Sequence, residues 1–324
     1  MSLTFDDLFV SPDHYFHSFD GDGAVFMPMD RAAYHRSIFL DGRISPAKDQ
    51  TMVVPGAALM QTMRAPAATA WIFHMAHCGS TLLARALDDP DASLVLREPL
   101  ALRQMAIHPD TGGLALALAM ASKRYRPDAP TLVKANVPVN FLLPQLAAAD
   151  PGARAILLYL PLRAYLLAIL RSDNHRNWLR NVTAQLVAYV GDLSSRTDAE
   201  LAAALWLAQV DAFTRALASM PHARALDAEV FFNDPIAVLK LAAPHLGVPI
   251  GDPALEASVA GPLFATYAKN PSLAFDNAAR IARRAEVERA IMPELDAGEA
   301  WIARHAARSS PDDALVEAAL TRSG

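Results

Sequence analysis

Apolar runs separated by helical segments dominate the chain after about residue 66. Five of these runs are short and nearly continuous, as expected of strands buried on both faces of a sheet. They lie at residues 69–75, 93–96, 131–135, 154–160 and 223–232. Strands that alternate with helices imply right-handed crossovers and a mostly parallel sheet. The pattern therefore predicts an α/β fold, with a mostly parallel sheet flanked by helices and a largely helical stretch from residue 201 onward.

The first 65 residues follow a different pattern. Aromatic residues there are mixed with turn residues, as in HYFHSFDGDG, which favours short strands and turns over long helices. Linkers containing Pro55 and Pro66 separate this stretch from the apolar runs. We therefore predict a strand- and turn-rich extension at residues 1–65 that packs on the core, and a main domain at residues 66–324 whose carboxyl-terminal part is helical.

Composition and charge narrow the class of protein. The 324 residues are 53% hydrophobic and carry a net charge of -5, which gives no basic footprint for nucleic acid. The lone cysteine, Cys78, forms no internal disulfide, and MSLTFDDLFV has an acidic pair where a secretion signal carries positive charge, so a cytoplasmic location is predicted. Residues 153–170 approach membrane-spanning length, but Arg154, Pro161 and Arg163 interrupt them, and no membrane span is predicted.

The segment TAWIFHMAHCGSTLLARALDD passes from an apolar run, through a turn at Gly79, into a helix that Ser80 and Thr81 begin. Such a strand, loop and helix directs free backbone N–H groups at one spot, where they bind anions. Nucleotide kinases and ATPases place a lysine directly before the hydroxyl residue, whereas this chain has Ser80 there. No apolar strand ends in a clear magnesium-binding aspartate either, so the usual cation clamp for ATP chemistry is missing.

The loop resembles that of the sulfotransferases, in which a basic residue, a small residue, glycine and two hydroxyl residues precede the helix. His77, Cys78, Gly79, Ser80 and Thr81 match that order one by one. A second match is LDAEVFFNDPIAVLKLAAPHLGVP at residues 226–249, where a strand ends in an acidic residue, an Asp-Pro turn follows, and a helix closes on Leu-Gly. The resemblance covers roughly residues 69–250 and is greatest to bacterial members whose loop reads His-Cys-Gly-Ser-Thr-Leu.

This resemblance implies a sulfotransferase-type P-loop fold and a specific reaction. A sulfuryl group would move from 3'-phosphoadenosine 5'-phosphosulfate to a hydroxyl or amine of a small-molecule, carbohydrate or peptide acceptor, with no metal required. The transfer needs a base for the acceptor proton and donors on the leaving phosphate oxygen. Glu98, in LREPL, lies where several members place a catalytic glutamate and is the candidate base. His77 is the candidate donor to the leaving oxygen.

The sequence departs from the family where the 3'-phosphate of the donor would bind. The family uses an arginine at the end of the fourth strand run and a serine about eight residues later, and the ungapped matches here are Leu160 and Ala168. A shifted alignment offers Arg163 and Ser172 instead, although their spacing of nine changes the helical phase by about 100°. Further candidate cations for the nucleotide are Arg171, Arg176 and Lys269.

Several alternatives stay open at the sequence level. Glu98 could be satisfied structurally by Arg85, Arg97 or Arg103, and His74 with His77 and Cys78 lacks a fourth metal ligand, so no metal site is predicted. Two other functions are compatible with the fold: a P-loop phosphotransferase or nucleotide hydrolase, and a non-catalytic nucleotide-binding protein that has lost the 3'-phosphate clamp.

Overall fold

The structure is a computed structural model and describes residues 3–307 and 310–320. Its strands are β1 (His14–Asp20), β2 (Gly23–Pro28), β3 (Met52–Pro55), β4 (Thr69–His74), β5 (Val95–Arg97), β6 (Thr131–Lys134), β7 (Arg154–Tyr159), β8 (Ala223–Asp227), β9 (Thr266–Tyr267) and β10 (Asn270–Ala274). Its helices are α1 (Phe5–Val10), α2 (Arg31–Arg36), α3 (Gly56–Gln61), α4 (Ser80–Ala86), α5 (Leu100–Ile107), α6 (Thr111–Ala121), α7 (Leu143–Ala149), α8 (Leu162–Leu170), α9 (Asp173–Gln185), α10 (Val187–Val190), α11 (Asp198–Ser219), α12 (Ala228–Asn233), α13 (Pro235–Leu246), α14 (Asp252–Ala260), α15 (Pro262–Ala265), α16 (Asn277–Ala290), α17 (Met292–His305) and α18 (Asp313–Glu317), and a 3₁₀ helix spans Val137–Leu142.

The main sheet has five parallel strands in the order β5-β6-β4-β7-β8. Strand β4 is central, because the chain builds β5 and β6 on one side of it and then crosses to β7 and β8 on the other. Its residues Ala70 to His74 are all buried, as the continuous apolar run predicts. The predicted α/β fold with a parallel sheet flanked by helices is confirmed. In such sheets ligands bind at the carboxyl ends of the strands, where the strand order reverses.

The last apolar run is shorter as a strand than its sequence predicts. Residues 223–232 were expected to be one strand, but β8 ends at Asp227 and α12 begins at Ala228. The Asp227 side chain accepts a hydrogen bond from the backbone N–H of Glu229 at 2.8 Å, which caps the start of this helix. The prediction of a strand across these ten residues was wrong because the cap redirects the backbone.

The amino-terminal residues form a three-stranded antiparallel sheet, β1-β2-β3, joined to the main sheet by buried polar contacts. The buried guanidinium of Arg97 donates to the carbonyl oxygens of Tyr34 and Ser37, each at 2.6 Å, and pairs with Asp88. The backbone N–H of Leu40 donates to the Arg97 carbonyl at 2.7 Å. Buried apolar side chains of both parts belong to one continuous core.

Helix α11 is the one helix among the described residues that is long and apolar enough to cross a membrane by length and composition. Most of its apolar stretch is buried within the protein. Its Trp206 indole, for example, donates to the carbonyl of Leu160 at 2.9 Å. The helix therefore has the character of a core helix.

Candidate functional site

The loop between β4 and α4 is held in place by tight packing against Phe232. Gly79 has φ +82°, and a Cβ placed on it would lie 2.7 Å from Cζ of Phe232, so both the backbone and the space require glycine. The Cys78 thiol is buried and donates to the Met75 carbonyl at 2.8 Å. Burial raises the pKa of Cys78 to about 11, so it is an uncharged structural thiol.

The two hydroxyl residues of the loop are buried at the start of α4. The Ser80 and Thr81 side chains line a chamber of about 160 Å³ together with Lys269. Within the part of the chain that the structure describes, the Thr81 hydroxyl oxygen has no hydrogen-bond partner. A buried hydroxyl without a partner is costly, and an anion in this chamber would accept its hydrogen bond.

A larger chamber of about 570 Å³ adjoins the first, and His77, Arg171, Phe232, Tyr267 and Arg280 line both. Its volume falls in the range of about 300–1,000 Å³ usual for ligand pockets. One wall is apolar and comes mainly from α8 and the end of β7. It includes both positions where the resemblance expects a side chain that donates hydrogen bonds to the 3'-phosphate of the nucleotide. The wall residues from this region are Leu160, Ala164, Leu167 and Ala168.

The opposite side of the larger chamber carries arginines that the sequence analysis missed. They are Arg280, Arg283 and Arg284, all on α16. Arg280 donates to both Glu229 oxygens, at 3.1 and 2.8 Å, and Arg284 donates to one at 2.8 Å. The Arg280 guanidinium also lies 4.3 Å from the centre of the Phe232 ring that packs on Gly79. Helix α16 thereby places Arg280 on the Phe232 ring that packs against the loop.

Glu98 follows β5 and forms a buried ion pair with Lys134, the last residue of β6. Its backbone has φ +57°, and its N–H donates to the Lys134 carbonyl at 2.7 Å. The Nε2 atom of His74 lies 4.0 Å from Oε1 of Glu98, and a guanidinium nitrogen of Arg43 lies 3.8 Å from Oε2 of Glu98. Burial alone would raise the pKa of Glu98, but the Lys134 ammonium lowers it to about 2, so the carboxylate is ionised throughout the physiological range.

The ring of Phe39 connects the Glu98 pair to the loop chamber. The Arg43 guanidinium carbon lies 3.7 Å from the ring centre, and the ammonium groups of Lys134 and Lys269 lie 5.7 and 5.9 Å from it. Lys269 occupies the turn between β9 and β10 and also lines the loop chamber. Three cations from distant parts of the sequence therefore meet between Glu98 and the loop.

The structure brings most of the predicted site residues together. His77, Cys78, Gly79, Ser80, Thr81, Arg171 and Lys269 all line the loop chamber. Glu98, Arg163 and Arg176 line neither chamber. Arg163 binds Glu288 at 2.7 Å and Glu299 at 2.9 Å, and Arg176 binds Glu294 at 2.6 Å. The structural alternatives for Glu98 find other partners, since Arg97 pairs with Asp88, Arg103 with Gln185, and Arg85 with the Ala268 carbonyl.

Two of the missed groups had a signal in the sequence. Lys134 is the penultimate residue of the strand predicted at residues 131–135, so in a parallel sheet it lies at the same edge as Glu98. The arginines at 280, 283 and 284 recur at the spacing of one helical face. Among the described residues, no cluster of three His, Cys, Asp or Glu side chains could hold a metal ion.

Solved structures similar to this chain include two sulfotransferases, the family that the loop resembles. One is the sulfotransferase domain from the curacin biosynthetic pathway, with 14% identity, a TM-score of 0.38, and 65% of this chain and 84% of that chain covered. The other is a sulfotransferase from Alicyclobacillus acidocaldarius, with 14% identity, a TM-score of 0.38, and 73% of this chain and 96% of that chain covered. No protein-family model and no curated protein matches the sequence.

Proposed function

We propose that this protein is a sulfotransferase that moves a sulfuryl group from 3'-phosphoadenosine 5'-phosphosulfate to a hydroxyl or amine of an acceptor. The observation that carries the proposal is the buried Thr81 hydroxyl, which has no hydrogen-bond partner among residues 3–307 and 310–320, in a chamber that adjoins one lined by arginines. One anionic group would bind at the loop and another beneath α16, which fits a nucleotide with phosphates at both ends of its ribose.

The chain's own residues divide the work between the two chambers. Ser80 and Thr81 donate hydroxyl hydrogen bonds at the loop, and Lys269 supplies positive charge beside them. Arg171, Arg280 and Arg283 bind the 3'-phosphate. They do so instead of the family's arginine and serine, whose positions are occupied here by Leu160 and Ala168. The bound nucleotide supplies the activated sulfuryl group. His77 donates an N–H to the leaving oxygen while Glu98 accepts the acceptor proton.

Glu98 acts as an ionised carboxylate held by Lys134. Since a pKa of about 2 is far from neutrality, Glu98 is a weak proton acceptor, and much of its contribution is to orient the acceptor hydroxyl or amine. Lys134 keeps it charged and is itself buried. We propose a cytoplasmic location as well, which suits the free, buried thiol of Cys78.

A second candidate function is nucleotide binding without transfer. The apolar wall at Leu160 and Ala168 and the low pKa of Glu98 favour it. Such a protein would bind 3',5'-bisphosphoadenosine but would transfer no sulfuryl group from the phosphosulfate donor to any acceptor.

The test is calorimetric titration with 3',5'-bisphosphoadenosine, AMP, and ATP with magnesium, for the wild type and Thr81→Val. We expect the bisphosphate to bind most tightly, and Thr81→Val, which keeps the shape but removes the hydroxyl, to weaken binding by about 10-fold or more. Preference for ATP with magnesium would indicate a phosphotransferase instead. No binding of any nucleotide would overturn the proposed function.

A further inference from the structure

The imidazole of His77 is stacked face to face on that of His175. Their ring centres are 3.7 Å apart and their planes differ by 24°. His77 has φ +61°, which is uncommon for a residue with a side chain, so its neighbours must hold it there. It lines both chambers, whereas His175 lines only the larger one. The stack therefore stands at the junction of the two.

Helix α9 holds His175 firmly in this position. The Nδ1 atom of His175 lies 2.7 Å from the Ala168 carbonyl oxygen, which can only accept a hydrogen bond, so Nδ1 carries a proton. The Nε atom of Arg171, 3.3 Å from the same nitrogen, is then a contact and not a second hydrogen bond. Trp178, one turn further along the same helix, meets the His77 ring edge to face at 5.8 Å. Two aromatic rings of one helix thus enclose the basic position of the loop.

The surroundings keep His77 uncharged. Burial lowers the pKa of His77 well below its usual value, and His175, Lys269, Arg171 and His74 oppose its protonation further. Burial also lowers the pKa of His175. His77 can therefore donate an N–H to an anion but brings no net charge, and the positive charge near the loop comes from Lys269 and Arg171.

We propose that His175 is a positioning residue, whose ring fixes His77 at the junction of the two chambers so that the loop presents an imidazole N–H donor to a bound anion. The inference rests on the proposed function in one respect, namely that the anion is the phosphate end of the sulfuryl donor. Because His175 acts through the face of its ring, a phenyl ring should replace it and an alkyl side chain should not.

The experiment compares wild type with His175→Phe, His175→Leu and His175→Ala. Titration with 3',5'-bisphosphoadenosine between pH 6 and 8 should show affinity within about twofold of wild type for His175→Phe, and about three- to tenfold weaker binding for His175→Leu and His175→Ala, the size of one aromatic pair. All four proteins share the pH dependence of the ligand's own phosphates, whose second pKa is about 6. The two alkyl variants should show an additional pH dependence, because the freed His77 then titrates closer to neutrality.

Imidazole NMR of the same proteins without nucleotide provides an independent readout. The His77 pKa should rise in His175→Leu and His175→Ala and stay low in His175→Phe, with the remote, half-buried His245 as a reference signal in every variant. Equal affinity and equal His77 titration in all four proteins would overturn the inference, as would equal losses in the phenyl and alkyl variants. If wild type binds no nucleotide, the proposed function fails, while the NMR comparison still decides the positioning role.

Discussion

Glu98 and Lys134 illustrate how single residues at this site depend on each other. The Lys134 side chain is fully buried and that of Glu98 is 15% exposed. Each charge is therefore stabilised mainly by the other and little by water. The folded pKa of Glu98 is depressed, so the pair's contribution to stability is complete above the unfolded pKa of about 4.3 and is lost as pH falls toward the folded value of about 2. Acid should therefore destabilise the site only below about pH 4.

At the residue scale we predict that Glu98→Gln loses stability as well as turnover. It leaves the Lys134 ammonium buried without a counter-ion, which costs about 3–5 kcal/mol of unfolding free energy, measured in urea. Glu98→Gln with Lys134→Met removes both charges and should recover most of that loss. If the chain is a transferase, turnover should fall by about 10² in both proteins, the low end of the range for losing a general base, because Glu98 is a weak proton acceptor. Bisphosphoadenosine affinity should change little in the double variant.

This pair of variants separates catalysis from folding. A double variant that is stable and fully active would contradict the role of Glu98. A single variant as stable as wild type would show instead that the ion pair is not buried in solution.

Helix α16 shows what an element contributes beyond its own packing. None of its residues is fully buried, and Glu229 and Phe232 of α12 hold it through Arg280 and Arg284. The Asn277 side-chain amide adds a hydrogen bond to the Phe232 carbonyl at 3.2 Å. The helix is therefore positioned next to the loop by polar contacts of Arg280 and Arg284, while Arg283 lines the larger chamber without binding Glu229.

At the element scale we predict that Arg283→Gln weakens binding of 3',5'-bisphosphoadenosine by about tenfold but changes AMP binding by less than about twofold, since only the first ligand carries a second phosphate. Arg283 lines the chamber and is not one of the two arginines that bind Glu229. Arg289→Gln, an exposed change on the same helix, is the matched control and should leave both affinities unchanged. Equal losses of affinity for the two nucleotides would show that Arg283 does not bind the second phosphate.

Arg97 connects the amino-terminal residues to the main sheet. Its guanidinium donates to carbonyl oxygens at the end of α2 and just beyond it, while its own backbone belongs to β5 of the main sheet. The same amino-terminal region supplies Phe39 and Arg43 to the surroundings of Glu98. The amino-terminal residues therefore contribute to the candidate site as well as to the core.

At the scale of the molecule we predict that Arg97→Met destabilises the whole protein in a single unfolding transition. The change leaves Asp88 and several carbonyl groups without their buried donor, at a cost of about 3–5 kcal/mol. Half-buried Arg103→Met, which removes a hydrogen bond to the Gln185 side chain, serves as the control and should shift the urea midpoint little. Separate unfolding of residues 1–65, detected by limited proteolysis while the main sheet persists, would contradict this coupling and indicate an independent amino-terminal unit.

The sequence by itself determined the parallel sheet and the loop, because both depend on local patterns. Continuous apolar runs predict buried strands, and the strand, Gly79 turn and hydroxyl-started helix are adjacent in the chain. Even the error at residues 223–232 had a local cause, the helix cap at Asp227. The loop side of the chamber, at residues 77–82, could thus be predicted from residues that are neighbours in sequence.

Only the tertiary structure decided what surrounds that loop. Lys134, the partner of Glu98, is 36 residues away from it in the sequence. Arg280 of α16 is 51 positions from Glu229, which it binds, and His175 is almost one hundred positions from His77. No local pattern encodes such pairs, since they form when the sheet order and helix packing bring separate segments to one edge. The same packing sets their pKa values, because burial and neighbouring charge exist only in the folded chain.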